Sequence, residues 1–147
     1  MSRGAIPQAL RRWLETLGEW CEYCGTSERV TGIPLEADHI QPHSQLGATE
    51  QTNLCRACAS CNVYKGDLTE AIDSKTGETT PLFNPRTQNW ADHFIWSADG
   101  IQIIGLTACG RATVAALKMN NPRIMNARRL WVAAGWHPPI GTPRQSL

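Results

Sequence analysis

Two Cys-x-x-Cys pairs, Cys21/Cys24 and Cys58/Cys61, constrain this 147-residue chain more than anything else in it. Each pair closes a tight knuckle that offers two sulfurs, and four thiolates at about 2.3 Å are what a tetrahedral structural zinc takes. One Zn²⁺ would pin together two stretches that lie far apart along the chain. The 33 residues between Cys24 and Cys58 exceed what a simple zinc ribbon inserts, and they carry Asp38-His39 and Asn53-Leu54. Asn62 follows the last cysteine, with Lys65-Gly66 just beyond. The spacing therefore predicts that the metal frames a site. Buried free thiols or disulfides are the remaining readings of these four residues. Cys55 and Cys109 read as small buried apolar residues. Cys55 lies close enough to Cys58 to be an alternative ligand, but a poor rival.

Helical periodicity places Ile6, Leu10, Trp13, Leu14 and Leu17 on one face, so a first helix runs into the Cys21 knuckle. Gly32 to Ile40 reads as a turn and then a strand ending in Asp38-His39. A polar loop over 41–52 would bring a second short strand back near Asn53, and a short helix is expected from about Cys58 to Leu68. Residues 73–89 are rich in turn formers and carry Pro81 and Pro85, which predicts a connection. Beyond it, Trp90, Phe94 and Trp96 supply a second small core, Ile101 to Leu106 a strand, and two helices follow. One spans about 108–119; the other opens at Asn121-Pro122, a capping residue followed by proline at the first helical position, and ends at Gly135. The expected organisation is a metal-stapled unit over 1–72, a linker over 73–89 and a basic, mostly helical extension over 90–147.

Charge is divided along the chain. Residues 1–80 hold seven Lys/Arg against eleven Asp/Glu, and 81–147 hold seven against two. An acidic, cation-seeking half beside a basic half suits holding and cutting a polyanion. Arg123, Arg128 and Arg129 could grip phosphates or form a solvated basic face. Asp92-His93 is either a second site or a packed pair among tryptophans, with packing favoured. No stretch approaches the roughly 18 apolar residues that span a bilayer, and the N-terminus lacks signal-peptide order, so a cytoplasmic protein without membrane contact is expected.

Phosphodiester hydrolysis needs a nucleophilic water, charge neutralisation at phosphorus and help for the leaving oxygen. A neutral imidazole takes a proton from water near pH 7, which makes His39 the candidate base. Asp38 and Asn62 offer hard oxygen ligands that suit Mg²⁺ or Mn²⁺ better than Zn²⁺. His43 is either a substrate contact or an exposed loop histidine.

In order and spacing, Cys21-x-x-Cys24, Glu36-Ala-Asp38-His39-Ile40-x-Pro42, Asn53-Leu54 and Cys58-x-x-Cys61-Asn62-x-x-Lys65-Gly66 resemble the zinc-stapled HNH endonucleases. The resemblance covers roughly residues 6–70. It implies an α+β fold: a ββα-metal (His-Me finger) core with a four-cysteine structural zinc, followed by the extension. It further implies His39 as general base, Asp38 and Asn62 as ligands of one catalytic divalent ion, and Asn53 as the asparagine that ties the hairpin loop and orients His39. Lys65 would contact phosphate or support the helix. Many members carry a glycine pair where this chain has Gln45-Leu-Gly-Ala, a departure expected to alter loop shape more than chemistry. The tail looks like the extension of small free-standing bacterial HNH proteins. The expected activity is metal-dependent cleavage of DNA, with RNA less favoured. The alternative is a zinc-stabilised DNA-binding module, or a nuclease subunit that needs a targeting partner. A homodimer or a larger nucleic-acid-processing assembly stays open.

Overall fold

The computed structural model describes residues 5–139, so residues 1–4 of the expected first unit and 140–147 of the expected extension lie outside the described residues. Helix α1 (Gln8–Glu15) follows Pro7 and buries Leu14. It is shorter than its apolar face, because the chain must turn at Gly18 (φ 114°) to enter the first knuckle. There Cys21 N–H donates to Thr26 O at 2.8 Å and Gly25 N–H to Cys21 O at 2.9 Å, closing the loop that aims both sulfurs the same way. Ser27 then caps a single turn, α2 (Glu28–Thr31), by accepting from the backbone of Arg29 and Val30.

The expected pair of strands and helix is present. Strand β1 (Glu36–His39) pairs antiparallel with β2 (Leu54–Ala57), Asp38 opposite Cys55 and His39 opposite Leu54. Helix α3 (Ala59–Lys65) starts at Cys58, whose sulfur accepts from Cys61 N–H at 3.4 Å, so the second knuckle doubles as the helix cap. Its inward side carries Cys61, Asn62 and Lys65.

The stretch expected as a linker is part of the fold instead. Strands β3 (Glu70–Ile72) and β4 (Thr79–Pro81) form a hairpin whose turn is organised by Asp73. The Asp73 carboxylate is fully buried, accepts from Thr76 Oγ1 at 2.8 Å, and receives Arg111 Nε and Nη2 at 2.8 and 3.0 Å. The guanidinium beside it holds this carboxyl well below the usual range. Downstream, Leu82 and Phe83 enter the core and Arg86 pairs with Glu22.

The extension contains a turn of helix, α4 (Trp90–His93), a hairpin of β5 (Phe94–Trp96) with β6 (Ile103–Gly105), and helices α5 (Ala108–Ala116) and α6 (Pro122–Ala133). Asn121 caps α6, and Thr107 caps α5 by accepting from Gly110 N–H at 3.0 Å. The expected second core is not separate: Tyr23, Cys24, Cys55 and Cys61 form one buried cluster with Phe83, Phe94, Trp96, Ile103 and Leu117. Trp90 Nε1–H donates to Tyr23 O at 2.8 Å, and Phe83 meets Phe94 edge-on at 5.1 Å, an arrangement worth about 0.5–1.5 kcal/mol beyond area burial. The extension is the lid of the cysteine knuckles. No helix among the described residues is long and apolar enough to cross a membrane.

Candidate metal and catalytic centre

The fold gathers Sγ of Cys21, Cys24, Cys58 and Cys61 to within 4.8 Å of one another, with Cys24 and Cys58 at 3.6 Å. Ligands at 2.3 Å around a tetrahedral ion stand about 3.8 Å apart, so the cluster fits zinc. Without a cation the four thiols compete. Burial pushes Cys21 well up and hydrogen bonds to the other cysteines push Cys61 up, while Cys24, hydrogen-bonded by its neighbours, is pulled well down. A divalent ion removes that conflict by stabilising thiolates together. Cys55, by contrast, lies beside Tyr23 Oη and Asp38 at 3.5 and 3.7 Å, and burial raises its thiol, as expected of a packed residue rather than a ligand.

Beyond the knuckles, β1, the following loop and α3 converge. Asp38 and His39 are both buried, at 2% and 4% exposure. Asp38 Oδ2 accepts from Tyr23 Oη–H at 3.0 Å and pairs with Lys65 Nζ at 3.2 Å. His39 Nε2 lies 2.9 Å from Thr49 Oγ1, and its carbonyl accepts from Lys65 Nζ at 3.0 Å. Asn53 closes the loop with three bonds: Oδ1 accepts from Gln41 N–H at 2.8 Å, and Nδ2 donates to Gln41 O at 3.0 Å and Ala48 O at 2.8 Å. Only glycine fits at 47, where a Cβ would collide with Gln41 O. Leu46 takes φ 65°, so the chain makes a left-handed turn here without a glycine.

Asn62 completes the group. Nδ2 donates to Glu36 Oε1 at 2.5 Å, while the buried Oδ1 has no hydrogen-bond partner among the described residues. Buried carbonyl oxygens are rarely left unpaired, and a hard cation is one partner such an oxygen takes. The buried, unpaired oxygen of Asn62 therefore fits a hard divalent ion.

Other expected contacts fall elsewhere. Lys65, expected either to contact phosphate or to support the helix, is 2% exposed and its ammonium bonds Asp38 and the His39 carbonyl. Arg128 is likewise buried: Nη1 donates to Ile101 O at 2.9 Å, Nη2 to Met119 O at 2.7 Å, and the guanidinium lies 5.2 Å from the Trp96 ring. Burial lowers its guanidinium, and the four knuckle cysteines oppose that, so the cation serves the interior instead of a phosphate. Arg123 and Arg129 are exposed, and Arg129 bonds Asn126 Oδ1 at 2.8 Å. His43 is exposed, its ring 5.8 Å from that of His39. His93 Nδ1 lies 2.7 Å from the Thr107 hydroxyl, so it is engaged with the cap of α5.

Reasoning from sequence missed Tyr23, Glu36 and Thr49 as partners of the site. Glu36 had a signal, because it stands two residues before Asp38 and strand alternation puts both on one face. Tyr23 and Thr49 had none, since they arrive through the knuckle and the loop.

Lys65→Met should destabilise the protein by about 3 kcal/mol, because it leaves the buried Asp38 carboxylate without its cation. Urea unfolding checks this; unchanged stability would mean that Lys65 is dispensable to the interior.

Residues 21–68, from the first knuckle through α3, match the family model described as HNH endonuclease. No curated protein and no solved structure gives a match. The matched stretch contains all four clustered cysteines together with Asp38, His39, Asn53, Asn62 and Lys65.

Proposed function

We propose that the HNH-matching unit makes this chain a metal-dependent endonuclease that hydrolyses DNA phosphodiesters, leaving a 5′ phosphate and a 3′ hydroxyl. The observation that carries the reading is the unpartnered, buried Oδ1 of Asn62, on the helix whose Lys65 pairs with Asp38, next in sequence to His39. When bound, Mg²⁺ or Mn²⁺ supplies positive charge to the non-bridging and leaving oxygens of the phosphate. The protein's own residues do the rest. His39 takes the proton of the attacking water. Thr49, 2.9 Å from Nε2, restrains the imidazole ring. Lys65 holds the His39 carbonyl and the Asp38 carboxylate in one grip, so base and ligand keep a fixed separation. Asn53 fixes the loop that follows His39, which keeps Thr49 near the ring.

The zinc of the knuckles has no chemical role in this scheme, because four sulfurs leave it no open position. It holds α3 against the hairpin. A single centre of this kind cuts one strand, so the first product from plasmid should be the nicked circle.

Supercoiled plasmid incubated with purified, zinc-loaded protein should become nicked in Mg²⁺ or Mn²⁺ and stay intact in EDTA. Plasmid that stays intact with every ion while still binding the protein would overturn the nuclease reading. It would favour a DNA-binding module or a subunit awaiting a targeting partner.

A further inference from the structure

A carboxamide has nearly the same shape with its oxygen and nitrogen exchanged, so packing alone does not decide which one faces a cation. Only the oxygen can bind one. Asn62 therefore needs an orienting partner, and a carboxylate serves well because it accepts from an amide N–H and repels a carbonyl oxygen. In the structure that partner is Glu36: Asn62 Nδ2 donates to Oε1 at 2.5 Å, and the atom left buried without a hydrogen bond is Oδ1. The geometry points to Glu36 as a positioning residue, one that turns the Asn62 oxygen toward the catalytic cation and keeps it there.

The strand explains why this residue can do so. Glu36 and Asp38 are two apart on β1 and share a face, and α3 lies across that face with Asn62 bonded to Glu36 and Lys65 to Asp38. The two contacts are the rungs that set the helix against the strand at the site. They differ in burial: Asp38 and Lys65 are each 2% exposed, whereas Glu36 is solvent-exposed. Replacing Glu36 thus removes the orienting contact without opening the core.

The inference rests on the proposed reading of Asp38 and Asn62 as cation ligands and adds the residue that makes Asn62 a competent one. Its test is direct Mn²⁺ binding to the zinc-loaded protein, read from the free-ion electron paramagnetic resonance signal, for wild type, Glu36→Ala, Glu36→Gln and Asn62→Ala. Residues that orient ligands without touching the metal typically govern about 10- to 100-fold in affinity, so Glu36→Ala should weaken Mn²⁺ binding at least about tenfold. Glu36→Gln carries N–H donors as well as an oxygen, so it can pair with either orientation of the Asn62 amide and should leave Mn²⁺ affinity between those of wild type and Glu36→Ala. Wild-type Mn²⁺ binding by Glu36→Ala would overturn the inference. So would wild-type Mn²⁺ binding by Glu36→Gln, since an amide that pairs with either orientation of Asn62 would then serve as well as the carboxylate. If Asn62→Ala loses Mn²⁺ while Glu36→Ala keeps it, only the role of Glu36 fails. If wild type binds no Mn²⁺, the cation-ligand reading of Asp38 and Asn62 fails with it.

Discussion

Cys58→Ser should unfold the whole chain and release its zinc. Cys58 is a member of the sulfur cluster and also the cap of α3, where its sulfur accepts from Cys61 N–H. Structural zinc contributes on the order of 10 kcal/mol to the folding of small domains, comparable to the entire 5–15 kcal/mol by which a domain is stable. Serine offers a weak, protonated oxygen and cannot replace a thiolate. The loss should not stay local, because Cys21, Cys24 and Cys61 share one buried cluster with Phe94, Trp96 and Ile103 of the extension. Circular dichroism with native mass spectrometry provides the check. A folded mutant that keeps one zinc would show that three sulfurs suffice.

His39→Ala should leave fold and zinc content intact and lower plasmid nicking about 10²-fold or more, the usual worth of a positioned general base. The backbone contacts that build the site survive the change: Lys65 bonds the carbonyl of residue 39, and Ile40 N–H still reaches Asn53 O at 2.9 Å. DNA binding should persist, which separates loss of chemistry from loss of substrate. Wild-type nicking rates from the mutant would remove His39 from the mechanism.

The sequence disclosed the knuckles, the ββα unit and the residues at its centre because those features are short-range. A chelating knuckle uses cysteines three positions apart, the helix that carries Asn62 starts at Cys58, and Asp38-His39 ends a short strand between the two pairs. Docking of the extension was not legible. Nothing in the spacing of Trp90, Phe94 and Trp96 states that they will cover Tyr23 and Cys24 in place of forming a core of their own. Strand β4 fell in the stretch read as a linker because Thr-Thr-Pro is too short to show alternation and lies among turn formers. Two buried cations did leave a trace. Lys65 is four residues after Cys61, so a helix that turns Cys61 toward zinc turns Lys65 inward as well. Arg128 falls between Ile124 and Trp131 at helical spacing, on the packed side of α6, while Arg129 next to it is exposed.

The cover that the tail gives the knuckles bears on how such a unit can be passed between proteins. A nuclease module whose core closes on itself can be grafted onto any targeting domain at its sequence boundary. Here that boundary, at residue 72, would fall inside the β3–β4 hairpin and part Glu70–Ile72 from its partner strand Thr79–Pro81. It would also strip Tyr23 and the knuckle sulfurs of the aromatic layer packed over them. The HNH-matching stretch of this chain is therefore not portable: recombination or fusion has to carry residues up to α6 along with it, or supply a substitute roof of the same shape.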